Sequence, residues 1–265
     1  MMQFDESTRR EALRYLGIFE GAELSGPCGN GEGFAACEAY RAASGAEKNN
    51  AGSEADELSK RKILELVAEC EKELAAAALP KSVYKKFKIE DCPLPLMSGE
   101  LGQDIARHLA GCEYVVLQAV TLGPEADRLI RRAEITDMTK AVVLDSLASA
   151  ASEQVCREAD LLLHRKSPGL FMTWRYSPGY GDFPLSVQRT LLSLLDAGKR
   201  IGLAVSDSSI LTPRKSVTGV VGLSTQKPDA DRLAEIYFLP DKALSTCGHK
   251  CGRCSMAATC RYSSC

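Results

Sequence analysis

The residues best suited to chemistry lie in one short run, Arg175-Tyr176-Ser177-Pro178-Gly179-Tyr180, with Trp174 before it and Gly181-Asp182 after it. A guanidinium is a planar, permanently charged fork that matches a carboxylate or phosphate with two parallel hydrogen bonds. Pro178 fixes its own φ, while Gly179 accepts a positive φ and lets a ligand approach the backbone. The tyrosine rings offer π-faces on which a cation can sit. Together they suit a small zwitterion carrying an extra positive centre. A plain Pro-Gly turn with an exposed arginine is the alternative reading of the same residues.

A second cluster is Cys247-x3-Cys251-x2-Cys254-x5-Cys260-x4-Cys265. Thiolates this close can hold zinc tetrahedrally or ligate an iron–sulfur cluster. Four suffice, and Cys247, Cys251, Cys254 and Cys260 are the expected set; free or oxidised cysteines are the alternative. The chain has 11 cysteines and shows no secretory signal, which favours metal or redox chemistry over disulfides. Cys70 and Cys156 fall at apolar helical positions and read as packing residues. With 3 histidines (His108, His164 and His249) and no His-Glu-x-x-His, a histidine-based catalytic metal site is not expected.

The elements that must position these residues follow from periodicity. The spacing predicts a helix over 5–20, then a run from 21 to about 53 rich in Gly, Ala, Ser and Asn that reads as a flexible insertion. Its Gly29-Asn30-Gly31-Glu32-Gly33 mimics a dinucleotide fingerprint, but no strand precedes it. A helix over 54–79 ends at Pro80, and Val83, Phe87 and Ile89 alternate with Tyr84, Lys86 and Lys88 as a half-buried strand with a wet lysine face. A helix over 101–110 and a buried strand over 113–120 follow. A helical region from Pro124 to about Arg165 is too long for one ordinary helix and should break between Thr136 and Thr139. A strand at 170–175, a turn at 177–181, a helix at 185–197 and strands near 200–206 and 216–223 complete an α+β unit.

Bulk properties exclude several classes. A chain of 265 residues with 45% hydrophobic and 26% charged residues is ordinary for a globular protein. A net charge of −2 gives no reason to expect a nucleic-acid partner. No signal peptide and no run of 18 apolar residues is visible, so the expectation is a cytoplasmic, soluble protein without a membrane partner.

The 175–180 run resembles the Arg-x-x-x-Gly-Tyr signature of the activation (reactivation) domain of cobalamin-dependent methionine synthase. Leu191 to Ala197, Lys199 to Gly202, Ser206 to Gly219, Gly102 to Leu109, Thr121-Leu122-Gly123 and Arg131 to Lys140 are similar to the free-standing form of that domain. The similarity spans roughly 60–225 in the right order.

The resemblance implies a twisted, mainly antiparallel sheet with flanking helices, carrying a Cys-rich C-terminal tail. It implies S-adenosylmethionine as ligand, with Arg175 holding the methionine carboxylate, backbone groups of Ser177, Pro178, Gly179 and Tyr180 gripping amino group and ribose, and Tyr176 beside them. Tyr180 would lie near the sulfonium or adenine. A helix-borne glutamate also binds the donor in the family. Ser149 aligns there, and Glu153, one turn on, is the candidate; a solvated helix face is the alternative reading of Glu153. The usual corrinoid signature, Asp-x-His-x-x-Gly, is imperfect at Ala106-Arg107-His108-Leu109-Ala110-Gly111, so His108 reads as structural and cobalamin as carried by a partner. The implied organisation is an N-terminal helix (1–22), the flexible insertion (23–53), an S-adenosylmethionine-binding activation domain (54–225), a linker (226–245) and the Cys-rich tail (246–265). The implied activity is a methyltransferase component supporting reductive remethylation of cob(II)alamin. Its partners would be a corrinoid-binding methionine synthase core and flavodoxin or ferredoxin as electron donor. The alternatives are an activator of another corrinoid methyltransferase, or a non-enzymatic S-adenosylmethionine- or metal-binding module.

Overall fold

The computed structural model describes residues 2–16 and 54–228. The insertion, most of the linker, the Cys-rich tail and the end of the N-terminal helix expected beyond residue 16 lie outside the described residues. In chain order the elements are α1 (Glu6–Tyr15), α2 (Glu54–Ala77), β1 (Lys81–Lys88), α3 (Gln103–Leu109), β2 (Tyr114–Thr121), α4 (Pro124–Thr136) and α5 (Met138–Arg165). These are followed by β3 (Phe171–Met172), α6 (Val187–Leu195), α7 (Ala197–Ile201), β4 (Ala204–Val205), β5 (Leu211–Thr212) and β6 (Ser216–Ser224). The class is α+β, as the sequence implies.

The main sheet has strand order β1-β2-β6-β3, antiparallel throughout, and β4 and β5 form a separate ribbon. Successive residues of a strand face opposite sides, so β2 sorts its apolar residues into two cores. Val115, Leu117 and Ala119 face α3, α6 and α7, together with Val83, Val220 and Phe183. Val116 faces the other way, toward Leu163 of α5, with Met172, Val221 and Leu223. Gln118 also faces α5, and no apolar neighbour can satisfy its amide.

The helical layer is built around α5, about 42 Å long at 1.5 Å per residue. The expected break before it is real. Asp137 turns out of the helix at φ −155° and accepts a hydrogen bond from the Lys140 N–H (3.0 Å), capping the new helix. Ala148, Ala150 and Ala151 are fully buried, and these small side chains let α1, α2 and α4 pack closely onto α5. Cys70 and Cys156 lie in this same core. α1 docks through Thr8, whose hydroxyl donates to Gln154 of α5 (2.9 Å).

Two expectations need correcting. The strand expected near 200–206 shrinks to Ala204–Val205, because a left-handed residue, Asp196 (φ 52°), restarts the chain as α7 rather than extending it. The strand expected at 170–175 is regular only over Phe171–Met172 and then bulges, with consequences for the site.

Candidate functional site

Along β6, Met172 pairs with Leu223 and Tyr176 pairs with Val220. Residues 173, 174 and 175 therefore stand against only 221 and 222, one residue in excess. This is a β-bulge, which locally breaks alternation and re-aims a side chain. Trp174 packs against the α5-side core as alternation requires. Arg175 should point to the opposite face, but the bulge turns it to the α5 side as well. Tyr176 resumes the pattern beside Phe183 and His108, its ring centroid 5.0 Å from the histidine ring.

The Arg175 side chain crosses β6 at Gly219, which stands directly opposite Gln118. A Cβ on Gly219 would overlap the Arg175 Cγ and Cδ, so this crossing requires glycine. Beyond it the guanidinium meets two carboxylates of α5. Asp160 accepts from Nη1 at 2.7 Å and Glu153 from Nη2 at 3.2 Å. Asp160 also accepts from the Gln118 amide at 2.7 Å. Burial pushes the Asp160 carboxyl above its ordinary pKa, against the opposing pull of Arg175 and Gln118. The two carboxylates differ in access: the Asp160 side chain is 6% exposed and that of Glu153 46%. Arg175 thus has one sealed anchor and one partner that water, or a ligand, can reach.

The turn after Arg175 is only partly sealed. Pro178 and Phe183 are buried, whereas Gly179, Tyr180, Gly181 and Asp182 are exposed. Gly179 adopts φ 96°, which favours glycine. Its N–H donates to the Phe183 carbonyl (2.8 Å), and the Tyr180 N–H donates to the Ser177 carbonyl (3.3 Å). Those donors are used inside the turn. The carbonyls of Pro178 and Gly179 accept nothing among the described residues. Asp182 fastens the turn to α3 by accepting from the Gln103 and Asp104 N–H groups at 2.7 and 3.0 Å.

The structure thus brings Arg175 and Glu153 together, with Tyr176 on the far face of the sheet and Tyr180 exposed on the turn. Sequence reasoning missed Asp160 and Gln118. A spacing of seven between Glu153 and Asp160, which puts both on one helical face, was the available signal. It also missed Tyr15 at the end of α1, whose phenol is pushed up by burial and by the nearby Glu11 and Glu153 carboxylates. His108 is occupied internally: its Nε2–H donates to the Trp174 carbonyl (2.8 Å), with the Thr173 hydroxyl 3.0 Å away. It holds the bulge and does not fit an axial cobalt ligand. Among the described residues no three His, Cys, Asp or Glu side chains are grouped to hold a metal. No described helix is long and apolar enough to cross a membrane.

No protein-family model and no curated protein matches the sequence. Among solved structures, the chain is similar to a crystal structure of the MetH reactivation domain bound to AdoHcy. The identity is 15%, covering 72% of this chain and 74% of that one, with a TM-score of 0.48. So distant a likeness assigns no residue of this chain a role.

Proposed function

We propose that the Arg175–Tyr180 turn binds S-adenosylmethionine and that the chain is an activation component for a corrinoid-dependent methionine synthase. One observation carries the reading: a guanidinium shared between a sealed and an exposed carboxylate, five residues ahead of an exposed tyrosine on an open Pro-Gly turn. A ligand carboxylate arriving at Arg175 can displace Glu153 while Asp160 keeps the guanidinium in place. The released Glu153 is then free to pair with the ligand's ammonium group. The unused carbonyls of Pro178 and Gly179 accept from amino or hydroxyl groups, and Tyr180 covers the sulfonium or adenine. The segment's resemblance to the activation-domain signature selects this ligand among small zwitterions.

In this role the chain positions the donor and excludes water, and needs no acid–base residue of its own. The corrinoid would be carried by the partner core and reduced by one electron from flavodoxin or ferredoxin, and it would supply the nucleophile for the methyl group while this chain holds the donor. The residues Cys247, Cys251, Cys254 and Cys260 remain the proposed ligands for zinc or an iron–sulfur cluster.

Calorimetric titration with S-adenosylmethionine tests the reading. Wild type should bind, and Arg175→Lys, which keeps the charge but loses the fork, should bind about ten- to a hundred-fold more weakly. Tyr180→Ala should weaken binding without moving the unfolding midpoint. Absence of binding by the wild-type chain overturns the proposal.

A further inference from the structure

A cleft of about 360 Å³, a small-molecule size, opens between the start of α4 and the β4–β5 ribbon. Asp127, Arg128, Arg131, Gly202, Thr212 and Pro213 line it. Asp127 is only 8% exposed. Its Oδ2 accepts from the Arg214 N–H at 2.7 Å, but its buried Oδ1 has no hydrogen-bond partner. Among the described residues no cation pairs with it: Arg128 is bound to Glu125, and Arg131 makes no ion pair.

Asp127 and Arg131 are four apart on α4, the spacing at which a carboxylate and a guanidinium ordinarily meet. Here they stay apart, both lining the same cleft. A buried carboxylate oxygen left without a partner is costly, and a cation offsets its charge where a neutral hydroxyl does not. Arg131 calls for the opposite group, a planar anion that accepts its fork.

We propose that this cleft binds an α-amino acid, its ammonium donating to the Asp127 carboxylate and its carboxylate accepting from Arg131. Such a site is separate from the donor site at Arg175.

Saturation-transfer NMR on the full chain, with glycine and L-leucine as small and large probes, tests this. Transfer is expected from at least one. With leucine, 4-methylpentanoate (no amine) and 3-methylbutylamine (no carboxylate) should each bind at least about tenfold more weakly. Asp127→Asn and Arg131→Gln should each weaken binding by about tenfold or more, with circular dichroism confirming that both fold. Arg131 is exposed, so its variant should be folded even if the Asp127 variant is not. S-adenosylmethionine carries the same ammonium and carboxylate, so Arg175→Lys, weakened at the donor site, serves as the control: transfer persisting in that variant keeps this outcome separate from that of the donor site. The proposal is overturned if neither amino acid shows transfer at millimolar concentration, if Arg131→Gln binds as wild type does, or if 4-methylpentanoate binds as well as leucine.

Discussion

Asp160 on the long helix and Arg175 in the bulge are joined by a 2.7 Å ion pair, with only 6% and 14% of their side chains exposed. Removing one partner of such a pair leaves the other charge buried and uncompensated, at a cost of about 3–5 kcal/mol. Asp160→Ala should lose that much unfolding free energy in urea. Asp160→Asn retains an acceptor and should lose less. A loss within about 0.5 kcal/mol for Asp160→Ala, as for an ordinary surface change, contradicts its role as anchor.

Glu153 should behave differently from Asp160. Its half-exposed pairing with Arg175 contributes at most about 1 kcal/mol to stability, so Glu153→Gln should leave the unfolding midpoint nearly unchanged. It should nonetheless weaken S-adenosylmethionine binding by about tenfold, since the ligand ammonium loses its partner. Unchanged affinity in calorimetry removes Glu153 from the site.

The turn should loosen in acid. The Asp104 and Gln103 N–H groups hold the exposed Asp182 carboxylate below its ordinary value of 3.8. A carboxylate with a lowered folded pKa contributes stability above its unfolded pKa and loses it as pH falls through the folded one. The Gln103 and Asp104 amide NMR signals should therefore titrate with a midpoint below 3.8, and Asp182→Asn should abolish that titration. A midpoint at or above 3.8 would show that the cap is not formed.

Much of this architecture was readable from the chain. Apolar periodicity located α2, β1, β2 and α6 to within a few residues, and the excessive length of the 124–165 region exposed the break that Asp137 makes. The bulge was not readable. Alternation places Arg175 on the opposite face from Trp174, and only the pairing of Met172 with Leu223 and Tyr176 with Val220 shows the extra residue. Asp160 and Gln118 were hidden for a related reason. Gln118 stands alone in an apolar strand and Asp160 is one of several charged residues on its helix, and the meaning of each depends on a partner 42 residues away in sequence.

Gly219 offers the sharpest test of how the site is built, because nothing polar is altered by changing it. It lies in mid-strand, where glycine weakens pairing and usually marks a close approach by another group. Here that group is the aliphatic stem of Arg175, which a methyl at Gly219 would displace. Gly219→Ala should cost about 1–3 kcal/mol as overpacking, measured by urea unfolding. It should also pull the guanidinium away from Asp160 and so weaken S-adenosylmethionine binding along with stability. Pairing it with Arg175→Ala removes the clash. The double variant should then be no less stable than Arg175→Ala alone, an outcome reachable only if Gly219 acts through Arg175.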